Sequence, residues 1–125
     1  MPENNTSNIG KNYTLKSDIL KEDRSYSVYL PSEYDELSKN KSRYPVLYLL
    51  DGQSHFNLAV EILKSMSRMG QIPHMILVAI SSTIDRTRDF TPTHSLMGTA
   101  NEGNCGLQFE SSGGGDAFLD FIENE

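Results

Sequence analysis

A carboxylate, a glycine, an amide, a hydroxyl and an imidazole stand in succession at Asp51-Gly52-Gln53-Ser54-His55. They follow the apolar run Tyr44 to Leu50 and precede a helical pattern that begins at Phe56. A strand, a tight turn and a helix together place backbone N–H groups at a helix N-terminus, where developing negative charge is stabilised. Glycine in such a turn lets the backbone approach a ligand closely. The adjacent Ser54 and His55 suggest a serine–histidine pair. Gly52 to Phe56 even approximates the nucleophile-elbow pattern G-x-S-x-G, with Phe56 where the last glycine belongs. Neighbouring residues at a helix start point in different directions, however, and the small residue needed for close helix–strand contact is missing. Ser54 is therefore read as the N-cap of the helix rather than as a nucleophile.

Three other groups of residues call for chemical readings. Arg86, Arg88 and Asp89 follow the second apolar run, Met75 to Ile80. An arginine there could grip an anionic group through its fork of N–H donors, or it could pair with Asp89 and order the loop; both readings stand. His55, His74 and His94 are dispersed, with no cysteine or carboxylate at ligand spacing, so neither a metal site nor a cofactor is expected. Gly113-Gly114-Gly115 precedes a helical pattern, but the Lys-Ser/Thr of a phosphate loop is absent and Asp116 would repel phosphate. The triplet reads as a hinge or a tight turn. Cys105 is the single cysteine, which rules out an internal disulfide, and no basic neighbour in the sequence activates it.

The elements that must position these residues are legible from periodicity. Asn12 to Lys16 and Ser25 to Leu30 read as two antiparallel strands, with Lys21 to Arg24 as their hairpin connection. Pro31 ends the second. Ser32 to Arg43 is a polar connection with a helical turn around Glu33 to Leu37. Tyr44 to Leu50 and Met75 to Ile80 are apolar throughout, the pattern of parallel strands covered on both faces. Between them Phe56, Ala59, Val60, Leu63 and Met66 share one face of a helix that Gly70 stops. Strand, helix and strand make a βαβ unit with an expected right-handed crossover. The expected fold is α/β, a mixed sheet with antiparallel first strands. Residues 91–114 show little periodicity and are expected to be poorly ordered or spread over the surface. Asp116 to Glu125 opens a further helix, and residues 1–10 are expected to be a flexible arm.

Composition removes several function classes. The net charge of -6 and the lack of a basic cluster exclude a nucleic-acid footprint. No apolar run approaches the ~20 residues of a membrane span. The N-terminus is polar and does not resemble a secretory signal, so a cytoplasmic protein is expected.

Tyr26 to Pro31, Tyr44 to Phe56 and Arg86 to Pro92 together resemble an esterase branch of the α/β-hydrolases, the one that holds enterochelin-esterase and trilactone-siderophore-hydrolase type enzymes. Gly113 to Glu123 resembles the same family's next helix. The resemblance runs from Tyr13 onward and is most specific at Tyr44 to Phe56. It implies that residues 11–125 are the N-terminal portion of a serine esterase domain, ending before the nucleophile elbow, acid and histidine. It implies an oxyanion donor at or beside Gln53, next to Gly52, with His55, Arg86 and Arg88 as substrate-binding residues for a small, siderophore-type ester. The chain alone is then expected to be inactive, and to self-associate through an exposed sheet edge. The contrasting reading is a non-catalytic α/β module that holds a ligand at its strand ends.

Overall fold

The computed structural model describes residues 9–34, 43–95 and 111–125. The helical turn expected to continue to Leu37, the flexible arm up to residue 8, and Cys105 with the glycines between residues 96 and 110 lie outside the described residues. Among the described residues the elements run in this order: β1 (Lys11–Ser17), β2 (Glu22–Tyr29), β3 (Val46–Leu49), α1 (Gly52–Arg68), β4 (Ile76–Ile80), α2 (Arg86–Asp89) and α3 (Gly115–Asn124). The sheet order is β1-β2-β4-β3. β2 pairs antiparallel with β4, with Tyr26 opposite Ile80 and Tyr29 opposite Leu77. β3 pairs parallel with β4, with Val46 opposite Ile76 and Leu49 opposite Ala79. The expected mixed α/β sheet is present, with α1 as the crossover between its parallel strands. The chain divides into two compact units, residues 1–15 with 24–81, and residues 16–23 with 82–125.

In the first unit the core forms where α1 crosses β4. Val60 and Leu63 of α1 meet Leu77, ringed by half-buried Tyr29, Leu49, Phe56, Ala59 and Met75. Burying each such side chain contributes about 1.5–3 kcal/mol. Tyr13 and Tyr26 stack at 5.4 Å between ring centroids, and Ser27 donates to Asn12 at 2.7 Å, holding β1 on β2. α1 ends as its sequence requires. Gly70 takes φ 71, its N–H bonds Ser67 O, and the Gln71 N–H bonds Met66 O, closing a Schellman motif.

β3 departs from expectation. Val46, Leu47 and Tyr48 are 41–52% exposed, not buried on both faces. The cause is position: β3 is an edge strand, while β4 has a neighbour on each side and buries Leu77, Ala79 and Ile80. The edge strands of the sheet are thus β1 and β3, with β4 inside it.

The second unit is held by side-chain bonds as much as by apolar contact. Phe118 and Phe121 of α3 are buried, with Phe90 edge-on to Phe118 at 5.6 Å. Ser17 donates to the Glu125 carboxylate at 2.5 Å, and the Asp18 N–H does so at 2.7 Å. At the described ends of the 91–114 segment, residues 92–95 are exposed and bonded to the stretch that precedes α3. Ser95 N donates to Ser112 Oγ at 2.8 Å, and Gly113 N to Thr91 Oγ1 at 2.7 Å. Of the two readings of the glycine triplet, hinge or tight turn, the turn is the one formed, and it is close-packed. Gly113 turns at φ 99, and a Cβ on it would lie 2.5 Å from His94 N; one on Gly115 would lie 2.9 Å from Thr91 O.

Candidate functional site

The site is built at the carboxyl ends of β3 and β4. After β3 the chain passes Leu50 and turns at Asp51, a non-glycine residue in the left-handed region at φ 54 and ψ 38. That turn sends the chain directly into α1 at Gly52. The approach is close because Gly52 has no side chain. A Cβ there would lie 2.7 Å from both the carbonyl carbon and the Cβ of Ala79, and 3.0 Å from its oxygen. The first turn of α1 is thereby seated on the end of β4.

Beside it opens a cleft of about 520 Å³. Gly52, Gln53 and Ser54 line it on the helix side, with Asn57 one turn further, and Asn12 and Ser27 come from β1 and β2. The lining is rich in amides and hydroxyls. The first turn of α1 carries no acidic residue, and the acid beside it is Asp51 at the cap position. Such an arrangement can hold a ligand oxygen and stabilise negative charge on it.

The residues singled out in the sequence fall as follows. Gly52 and Gln53 line the cleft. Ser54 lines it too, but it is not the N-cap. The helix begins two residues before it, Asp51 takes the cap position without a side-chain cap bond, and Ser54 N donates to Asp51 O at 3.1 Å. The left-handed turn at Asp51, which periodicity does not signal, moved the start. His55 is exposed on the same turn and is not part of the cleft wall. Ser54 and His55 differ by ~100° around the helix axis, so they do not form a facing pair.

Arg86 is exposed, with its guanidinium 5.0 Å from the centre of the Phe90 ring. Arg88 forms a fork to Glu22 at 2.6 and 3.0 Å and donates to Asp89 at 2.8 and 2.9 Å. The bonds to Glu22, then those to Asp89, hold its pKa above the ordinary value. Of the two readings left open for Arg88, pairing that orders the loop is the one seen. Asp85 caps α2 by accepting from Arg88 N at 2.9 Å. His74 lies 3.3 Å from Glu33, and His94 Nδ1 is 3.0 Å from Ser112 O. Among the described residues no three His, Cys, Asp or Glu side chains converge as a metal site.

The sequence reading passed over Glu22, Arg24 and Asn57. Glu22 was a loop charge with no visible partner, since Arg88 is 66 positions away. Arg24 carried a signal: it is in phase with Tyr26 and Val28 on β2, and a charge in phase with apolar residues is a buried charge. Asn57 carried none.

Comparison with known proteins agrees with this architecture. A family model described as "Putative esterase" matches residues 17–125. The structure is similar to that of an IroE-like serine hydrolase from Shewanella oneidensis, with TM-score 0.80 and 41% identity over 93% of this chain and 36% of that one. The enterobactin esterase FES from Shigella flexneri, solved in the presence of enterobactin, aligns with TM-score 0.63 and 19% identity over 93% of this chain and 24% of its own, a likeness of fold. "Uncharacterized protein YbbA" of Bacillus subtilis (strain 168) is 30% identical over 69 residues, 55% of this chain and 26% of that protein. This chain therefore spans 36% or less of the length of each. Among the described residues no helix is long and apolar enough to cross a membrane. The mixed sheet, the close turn at Gly52 and a family match over most of its length lead to one conclusion: the chain belongs to this esterase family.

Proposed function

We propose that residues 11–125 form the N-terminal portion of a serine carboxylic-ester hydrolase domain; Ile9, expected in a flexible arm, packs against the core instead. In this reading the Gln53 N–H, beside Gly52, is one donor of the oxyanion hole. The observation that carries it is the contact of Gly52 with Ala79, which seats the first turn of α1 against the cleft. The 41% identity to a serine hydrolase supports the same reading. The 125 residues hold no G-x-S-x-G. The nucleophile, acid and histidine would come from outside them.

The reaction would begin with attack of the serine oxygen on the ester carbonyl carbon. The displaced π pair becomes an oxyanion, to which Gln53 N–H donates; collapse expels the alcohol, and water then releases the acid from the acyl-enzyme. The substrate class is a small carboxylic ester, siderophore-type esters included. His55, exposed on the first turn, remains a proposed substrate contact. Arg86, which is exposed, and Arg88, which is bonded to Glu22 and Asp89, remain proposed contacts for an anionic substrate group. A cytoplasmic location belongs to the same reading, since a lone Cys105 leaves no internal disulfide to form.

Taken as 125 residues alone, the chain is proposed to lack turnover and to self-associate through β3, whose exposed Val46, Leu47 and Tyr48 lie on an open edge. Light scattering should show association that Leu47→Lys weakens; a stable monomer at high concentration would count against it.

The catalytic test is made on a polypeptide in which these residues are followed by a nucleophile strand. Gln53→Pro removes the N–H while fitting the first helical turn, and Gln53→Ala keeps it. A chromogenic ester assay should show kcat falling roughly 10²–10³-fold for the proline variant and little for the alanine variant. Equal kcat in both would defeat the oxyanion assignment. No turnover in the longer polypeptide would favour a non-catalytic ligand-binding module.

A further inference from the structure

Arg24 is 1% exposed. An arginine at that depth persists only where its guanidinium is held. Its Nη2 donates to Ser81 O at 3.0 Å. Ser81 is the first residue after β4, and its own N–H donates to Ser25 O at 3.0 Å. The paired register of β2 and β4 ends at Tyr26 and Ile80. Beyond it, β2 still fixes both polar groups of Ser81: the N–H through the backbone of Ser25, the C=O through the side chain of Arg24. Two residues before Ser81 is Ala79, whose carbonyl group and Cβ fill the space a Gly52 side chain would need. Gly52 is followed directly by Gln53.

We propose that Arg24 is a positioning residue of the esterase site: by holding the Ser81 carbonyl it fixes the end of β4 on which Gly52 rests, and so places the Gln53 amide. This rests on the reading of Gln53 as an oxyanion donor. The contacts that define the relay are Arg24 to Ser81, then Ala79 to Gly52, all within the first compact unit. Catalytic donors must be held within ~0.5 Å of their productive place. A displacement of about 1 Å can lower a rate by ~10²-fold. A single donor on a buried side chain therefore has leverage on turnover without touching substrate. Lysine, a point donor on a flexible stem, would restore the bond in part.

The experiment compares Arg24→Met and Arg24→Lys with wild type in the longer esterase polypeptide. It measures kcat and KM, and by NMR the exchange of the Ser81, Gly52 and Gln53 amides against those of Val60 and Leu63. The expected result for Arg24→Met is a fall in kcat of about tenfold or more with KM within about twofold. Exchange should quicken at Ser81, Gly52 and Gln53 but not at Val60 and Leu63, and Arg24→Lys should recover most of kcat. If the methionine variant does not fold, Arg24→Gln, which keeps an amide donor on a shorter arm, carries the same comparison. Unchanged exchange at Gly52 and Gln53 in a folded variant would overturn the proposal, as would an effect confined to KM. If Gln53→Pro leaves kcat intact, the oxyanion reading falls, and the exchange rates still decide whether Arg24 positions Gly52.

Discussion

Substituting Gly52 with alanine adds one methyl group at the point where the account is most exposed to test. That carbon would sit 2.7 Å from two Ala79 atoms, one of them a backbone carbonyl carbon. Comfortable carbon–carbon separation is ~3.5–4.0 Å, so α1 and β4 must part by about 1 Å. The backbone cannot rotate away as a flexible side chain would. Overpacking of this kind costs about 1–3 kcal/mol. Alanine offsets part of it, because it is favoured over glycine in a helix by up to ~1 kcal/mol. The clash is with backbone, so the upper part of that range, about 2–3 kcal/mol, applies, and a net loss of about 1–2 kcal/mol remains. Urea unfolding should show a lower midpoint with unchanged slope. In a longer esterase the same shift should cost roughly 10²-fold in kcat. A Gly52→Ala protein as stable as wild type, or more so, would refute the contact and with it the seating of the site on β4.

Gly70→Ala tests conformation without crowding: nothing lies within 4 Å of the new carbon, but φ is 71, so a loss of about 1–2 kcal/mol in urea unfolding is expected from backbone strain alone. Arg88→Met should lower stability by about 2–3 kcal/mol by thermal or urea unfolding, less than a fully buried pair because Arg88 is partly exposed, since it removes the two hydrogen bonds that Arg88 gives the wholly buried Asp89 carboxylate. Asp85 should contribute to the loss of stability in acid. The Arg88 N–H, with help from the Ser111 hydroxyl, holds its carboxyl below the ordinary value. That contribution is present above the unfolded value, near pH 4, and is lost as pH falls through the lower folded value. Asp85→Asn keeps the cap acceptor but does not titrate there, so its melting temperature should fall less steeply than that of wild type between about pH 5 and 2.

What was legible in the sequence followed from local pattern. The apolar face of α1, its stop at Gly70 and the two apolar strands are all periodic or local features. What local pattern left open or misread depends mostly on partners far away in the chain. The run Val46 to Leu49 reads as doubly covered, yet its exposure is decided by which strand stands at the sheet edge, and periodicity is silent about strand order. Ser54 looked like a cap because a serine before an apolar stripe usually is one; the left-handed Asp51 started the helix earlier. Arg88 offered two readings until Glu22 was brought to it. The glycine triplet was open between hinge and tight turn, because the neighbours that pack on it, Thr91 and His94, are some twenty residues upstream. Gly52 and Gln53 were legible as a site because strand, turn and helix are contiguous there.

The central claim is that the Gln53 amide serves the oxyanion. It is tested most directly by the proton resonance of that amide, in a polypeptide containing these residues and a nucleophile serine, before and after reaction with a phosphonate ester that leaves a tetrahedral anionic mimic on the serine. The account predicts a downfield shift and slowed exchange at Gln53, with Val60 and Leu63 unchanged. A Gln53 amide indifferent to the tetrahedral anion would contradict it.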